Sequence, residues 1–244
     1  MRHEIVLSGH GVRLVPLAPH HAAGLFDFVD AGMWAGMAAP MPGTASELAA
    51  LFRSRLEDPA TIPFAVTDGR TGALLGTTSL RDYVRDQQRL EIGGTFYGRQ
   101  FWGSHVNPAS KHMLLAYAYE VLEVDRVAFR CDARNTRSAT AIERLGAQFE
   151  GVLRGHRAAP GGGRADTAVF SILSQEWPHV REDLRRRLAP FAVGADYSLG
   201  SPQQLGTPNP LPVAARRPDE REARHLEARS PVPAGAGVRW QARS

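Results

Sequence analysis

The chain has 244 residues, 43% of them hydrophobic, enough for one generous domain with a sizeable core. No apolar run is long enough to span a bilayer, the first residues lack a signal-peptide core, and the single cysteine, Cys131, excludes an intrachain disulfide, so a cytoplasmic protein is expected. The net charge is +4 and Lys111 is the only lysine. Much of the surplus charge lies beyond residue 210, and no RRM-like aromatic pair, zinc spacing or helix-turn-helix accompanies it, so nucleic-acid binding is not expected.

In chain order, residues 12–17 read as a strand, with 5–7 before it and a Ser8-Gly9-His10-Gly11 turn between. Pro19 and His20 open a helix with Ala22, Leu25, Phe26 and Val29 on one face. Residues 32–43 read as a loop or short helices anchored by Trp34 and methionines. Residues 46–57 place Leu48, Leu51, Phe52 and Leu56 at helical spacing. Strands 62–68 and 74–85 flank the hairpin signal Asp68-Gly69-Arg70-Thr71-Gly72. Alternation in strand 90–97 predicts Leu90, Ile92 and Phe96 on one face and Glu91, Gly93, Thr95 and Tyr97 on the other.

A short glycine-containing loop then runs into a helix predicted over 108–122, with Asn107 as N-cap and Pro108 at the first helical position. Residues 126–131 read as a strand and 136–145 as a helix stopped by Gly146. Strands 150–157 and 167–173 form a last hairpin, and 177–188 a last helix. The order implies a mixed α/β domain with one strand-helix-strand unit in a hairpin-rich sheet. Beyond about residue 190 the chain turns rich in Pro, Gly, Ala and Arg, and composition predicts a disordered tail over 191–244.

The loop Gln100-Phe101-Trp102-Gly103-Ser104-His105-Val106-Asn107 is the feature most charged with chemistry. The first N–H groups of a helix have no intrahelical partner and sit at the positive end of its dipole, so this loop makes an anion site suited to a pyrophosphate. Together with the helix opened by Asn135-Thr136-Arg137-Ser138, it suggests a coenzyme A site.

With these segments in order, residues 8–188 resemble the GNAT superfamily of N-acetyltransferases, and within it the RimJ/RimL-type branch. Residues 11–17 match its opening strand and Leu90-Glu91-Ile92-Gly93 its central strand. The Gln100–His105 stretch stands where the family has its Q/R-x-x-G-x-G/A loop, and residues 132–147 match its fourth helix. The resemblance implies a single mixed, mostly antiparallel sheet with flanking helices, splayed between its fourth and fifth strands, here 90–97 and 126–131. It implies acetyl-CoA in that opening, held by Gly93, Thr95, Phe96, Gln100, Gly103, Ser104, His105, Val106, Asn107, Lys111, Asn135 and Ser138. Transfer would be direct, to a primary amine, with a protein N-terminus among the candidates. His105 replaces the small residue that ends the family motif, so its ring is expected to turn away from the phosphates. Ile142 stands where many members have an acidic Tyr.

Three residues are catalytic candidates. Glu91 is either a base or substrate positioner, or a strand carboxylate paired with an Arg. Ser138 is either the thiolate's proton donor or a small packing residue. His156 is either a base for the amine or an exposed His beside a Gly-rich turn. Asp166 is an amine ligand or a partner of Arg164; Trp34 and Trp102 line the acceptor pocket or pack; Arg134, Arg137 and Arg144 are candidates for the adenosine phosphate. Cys131 is expected to be inert, and no metal site is expected. A small-molecule amine acetyltransferase of the same fold and a non-catalytic CoA-binding module are the rival readings, and the chain is expected to be a monomer or homodimer.

Overall fold

The computed structural model describes residues 3–37, 39–159, 162–192 and 198–199. Its strands form one eight-stranded sheet in the order β1-β2-β3-β4-β5-β6-β8-β7. These are β1 (Leu7–Gly9), β2 (Val12–Pro16), β3 (Thr61–Asp68), β4 (Leu74–Val84), β5 (Arg89–Tyr97), β6 (Arg126–Asp132), β7 (Gln148–Ala158) and β8 (Arg164–Leu173). All neighbours are antiparallel except β5 and β6. The short strand β1 makes the diverging pair the fifth and sixth of this sheet, on the same residues that the resemblance counts as fourth and fifth.

Helices α1 (Ala22–Phe26), α2 (Ala31–Trp34) and α3 (Ala45–Glu57) cover one face, and α4 (Val106–Ala116) and α6 (Trp177–Leu188) the other. Alternation along the strands sorts the two cores. Phe64 and Val66 of β3 join Met113, Leu114 and Leu184, whereas Ala65 joins Leu48, Phe52 and Trp34. Helix α3 starts where Thr44 accepts a hydrogen bond from the Glu47 amide at 3.1 Å while Glu47 reaches back to the Gly43 amide. The fifth helix, α5 (Thr136–Glu143), is capped by Asn135, and Gly146 ends its last turn at φ +94°. Among the described residues no helix is long and apolar enough to cross a membrane.

Three details depart from simple periodicity. Helix α4 begins at Val106, so Asn107 lies inside it. The capping role falls to Ser104, whose Oγ accepts from the Val106 amide at 3.2 Å. Strand β5 carries a bulge: its register against β4 shifts between Thr77 and Ser79, and Gly94 sits there at φ +60°. The extra residue turns the remainder of the strand over. Tyr97 joins Leu90 and Ile92 in the α4-side core and Phe96 joins the α3-side core, the reverse of strict alternation. The tail expected over 191–244 lies almost entirely outside the described residues, but Ser198 pairs with Ser8 of β1 through two backbone hydrogen bonds of 3.0 and 2.7 Å.

Helix α4 is buried all round, and this decides the fate of Lys111. Its ammonium does not face the loop before the helix. Nζ lies 2.8 Å from Thr78 Oγ1 and 2.7 Å from Thr95 Oγ1, and the two hydroxyls are 2.8 Å apart. The expected phosphate contact is therefore replaced by a clamp across β4 and β5. Burial pushes the Lys111 pKa down from 10.5 to about 7. An unfolded chain keeps this proton to about pH 10.5, so across that window the unfolded state holds more protons and stability rises with pH. Below pH 7 the whole penalty applies, roughly 5 kcal/mol at about 1.4 per pKa unit. The variant Lys111→Met is expected to melt above the parent at pH 6.5, with the gap closing toward pH 10. Parallel melts over that range check this; a gap that does not change with pH would refute the buried, easily deprotonated lysine.

Candidate active site

The loop between β5 and α4 is built by a 3-10 turn, Arg99–Phe101, then Trp102 and Gly103. Gly103 sits at φ +74°, and a Cβ there would point into open space. The Ser104 amide donates to the Phe101 carbonyl and the Val106 amide to Ser104 Oγ. The amides of Gly103, His105 and Asn107 donate to no protein acceptor among the described residues. Three bare donors at the head of a buried helix form a cradle that could hold an anion. Val106 contributes neither part: its amide is capped and its side chain lies in the core. The His105 ring stacks on Phe191 at 4.1 Å, at an interplanar angle of 10°. Gln100 folds back over Gly98.

Strands β5 and β6 pair in parallel at only three positions, Arg89 with Arg126, Leu90 with Val127 and Glu91 with Ala128. Beyond Glu91 they diverge, and the facing edges of residues 92–97 and 129–132 form a wedge whose apex is Glu91. Of the cofactor residues expected on β5, Phe96 is in the core and the Thr95 hydroxyl is held by Lys111, so these two offer only backbone. Gly93 and Gly94 have no side chain to close the wedge.

At the apex Glu91 is 7% exposed and lies 2.7 Å from Arg130 Nε; Arg130 Nη2 also reaches Asp82 at 3.2 Å. Burial pushes the Glu91 pKa up, outweighing the opposing pull of Arg130 and Arg81. Of the two sequence readings of Glu91, the pairing with an arginine is present in this geometry.

Helix α5 forms the far wall. Asn135 Oδ1 accepts from the Ser138 amide at 3.0 Å, which leaves its Nδ2 donors facing the chain at Gly36. Burial pushes the Cys131 thiol's pKa up, with the Ser138 hydroxyl acting in the opposite sense, so Cys131 is no ready nucleophile. Arg137 spans from α5 to the loop, its guanidinium 3.5 Å from the centre of the Trp102 ring. Arg99 approaches the same ring at 4.8 Å and is held by Asp30. Ile142 is in the core.

The structure does not bring His156 to this apex. It lies exposed on β7, 3.1 Å from Thr167 Oγ1, and Thr167 pairs with Asp132 at the far end of β6. Asp132 is four residues along β6 from Ala128, about 13 Å at a strand's rise. Two strands of lateral offset add to that separation. Asp166 accepts from the Gly155 amide at 2.7 Å, a structural role. Trp34 is in the α3-side core, its Nε1 bonded to the Ala39 carbonyl at 2.8 Å. Among the described residues no group of three His, Cys, Asp or Glu side chains is placed to hold a metal.

Two residues were missed from sequence. Arg130 lies on the strand set beside 90–97, but the register that brings it to Glu91 is not local to either segment. Arg55 lies on the α3-side face of the bulge and donates to the Gly94 carbonyl at 3.4 Å. Its signal was available: Leu48, Phe52 and Arg55 follow i, i+4, i+7, which puts a cation on the apolar stripe of α3.

Residues 12–148 match the family described as acetyltransferase (GNAT) domain. Over 106 residues the chain is 32% identical to the "Putative ribosomal N-acetyltransferase YdaF" of Bacillus subtilis, a stretch that is 43% of this chain and 57% of that protein. Over 114 residues it is 28% identical to the "Uncharacterized N-acetyltransferase p20" of Bacillus licheniformis, 47% of this chain and 63% of the relative. Both matches span less than two thirds of the relative's length. The crystal structure of a "putative acetyltransferase" from T. thermophilus superposes with a TM-score of 0.71 at 37% identity, covering 75% of this chain and 96% of that one. The family match takes in the cradle, the wedge and its far wall, and more than half of the sequence: the chain belongs to the GNAT family of acetyltransferases.

Proposed function

We propose that the chain is an acetyl-CoA-dependent N-acetyltransferase that acetylates a primary amine by direct attack. The observation that carries this is the alignment of two unsatisfied backbone surfaces: the bare amides of Gly103, His105 and Asn107, and the open strand edges that lead from them to Glu91. The first fits a pyrophosphate and the second the amides of a pantetheine arm. Asn135, whose Nδ2 is left over from the helix cap, is the far-wall candidate for that arm; Lys111 and the Val106 amide, both already engaged, are not.

Bound acetyl-CoA would supply an acyl carbon activated as a thioester. The chain's own task is to deliver a neutral amine and to manage one proton. Glu91 is the buried carboxylate at the apex, and its raised pKa suits it to accept the ammonium's proton. Arg130 tempers that basicity by holding Glu91 at 2.7 Å. The Ser138 hydroxyl, on the far wall, is the candidate to return a proton to the leaving thiolate. As acceptor, a protein N-terminus is supported by the name of the Bacillus subtilis relative over the matched part of its length.

Two measurements test this. Gly103→Val forces a β-branched residue to φ +74° and so displaces the backbone that carries the bare amides; acetyl-CoA affinity is expected to fall at least about tenfold, with a stability loss of roughly 1–2 kcal/mol. Calorimetry that finds wild-type affinity would place the cofactor elsewhere. In the second, Arg130→Met removes a cation that lowers the Glu91 pKa, so the acidic limb of the kcat/KM profile is expected to move to higher pH, and Glu91→Gln to flatten it. An acidic limb indifferent to both variants would exclude Glu91 as the base.

A further inference from the structure

The α3-side face of the bulge carries charge that acetyl transfer alone does not call for. Gly93 and Gly94 leave the backbone bare. Around it stand Arg55 from α3, Arg81 and Ser79 from β4, and Glu91. Arg55 is partly buried, and its single hydrogen bond among the described residues is the 3.4 Å contact to the Gly94 carbonyl. No described carboxylate is within ion-pair distance of Arg55 or Arg81. Burial pushes the Arg55 pKa down to about 10, and the like charge of Arg81 acts in the same direction. Beneath it the Ser79 hydroxyl is fully buried without a hydrogen-bond partner among the described residues. Ser79 Oγ lies 3.3 Å, and Arg55 Nη1 3.7 Å, from the point that a Cβ on Gly94 would occupy. Hydroxyl and guanidinium therefore flank one empty spot. Around the apex three cations (Arg55, Arg81, Arg130) face two anions (Glu91, Asp82), one positive charge in surplus.

We propose that the acceptor carries a carboxylate a few bonds from its amine, and that Arg55, seconded by Arg81 and the Ser79 hydroxyl, binds that carboxylate while the amine end is received by Glu91. This rests on the acetyltransferase reading and adds the class of acceptor. A planar guanidinium matches a carboxylate with two parallel hydrogen bonds, and a carboxylate on the acceptor gives Arg55 the ion partner that no described side chain supplies. The bare Gly93-Gly94 backbone gives such an acceptor room beside the thioester.

The carboxylate has two possible sources, a free amino acid or an acidic residue near a peptide's N-terminus. The experiment compares glycine with glycinamide, and peptides beginning Ala-Glu with those beginning Ala-Gln, as acceptors for wild-type protein, Arg55→Met and Arg55→Lys. A second variant, Arg81→Met, alters an exposed side chain and so guards against loss of folding. The quantity read is the ratio of kcat/KM within each pair, and its change between variants cancels differences in amine basicity. In one pair at least, the carboxylate-bearing member is expected to be preferred. Arg55→Met should erase roughly 10- to 100-fold of that preference, through KM, and Arg55→Lys should restore part of it. A ratio that Arg55→Met and Arg81→Met both leave unchanged in both pairs overturns the proposal. Absence of CoA thiol release with every amine strikes the transferase reading instead. In that event calorimetric titration of the same four compounds into wild type and Arg55→Met reads the preference without turnover, and equal affinities for each pair's two members overturn the carboxylate subsite.

Discussion

The site depends on one extra residue in a strand. The bulge at Gly94 gives β5 a local twist that its parallel neighbour does not share, so the two strands pair for three residues and then part. Everything chemical follows from that parting. Residues 92, 93, 96 and 97 keep partners on β4, while beyond Glu91 the other edge of the strand has no paired strand. Buried backbone groups left unpaired cost about 1–3 kcal/mol each, so an amide-bearing chain that slides between the strands relieves a cost built into the fold. The bulge needs holding on both faces. On one, Lys111 ties Thr95 of β5 to Thr78 of β4; on the other, Arg55 reaches the Gly94 carbonyl.

The buried helix α4 connects this bulge to the cradle. Its N-terminus offers the bare amides, and one turn later its Lys111 grips β5. The body of the helix is buried while its N-terminal amides open to the surface, so the dipole's positive end is fixed where a ligand can reach it. The same burial makes Lys111 a destabilising group at neutral pH. A methionine would fill the space at less cost but would leave the Thr78 hydroxyl bonded only to Thr95, and Thr95 to Thr78 and the Gly93 carbonyl. The fold thus spends stability at the position that fixes the strand against which the thioester is proposed to lie.

What the sequence disclosed followed from local rules. The anion cradle was legible because glycine, serine and the start of an apolar helix stand within a few residues of each other. The Asn135 cap was legible for the same reason, and hairpin signals such as Asp68-Gly69 located most strands. The rest depended on contacts between distant segments. Phe96 was assigned to the wrong face because alternation assumes an unbroken register, and only the Gly93-Gly94 pair hinted at a bulge. Lys111 was read from its neighbour in sequence, the loop, although burial of α4 on every side turns the side chain toward the sheet. Asn107 lost the cap to Ser104 because the 3-10 turn before the helix delivers the chain two residues early. His156 was set at the acceptor site from its pKa class and the strand it lies on, and strand order places that strand three away from the one that carries Glu91. Nothing local could pair Glu91 with Arg130, since that contact exists only once β6 is set beside β5.

The two ends of the wedge treat negative charge by different means. At the cradle, neutral amides do the work: they are fixed, need no counterion and leave no penalty when solvent replaces the ligand. Arg137 and Arg99, both on the Trp102 ring, stand nearby, Arg99 already matched to Asp30. At the apex the groups are fully charged and partly buried, where an unmatched guanidinium is costly. Dipoles accept any anion of suitable shape, whereas an unbalanced charge in a partly buried site penalises every ligand that fails to neutralise it. In the proposed reading, generous binding therefore belongs to the end that meets the same cofactor in every cycle. Discrimination belongs to the end where the acceptor must be chosen.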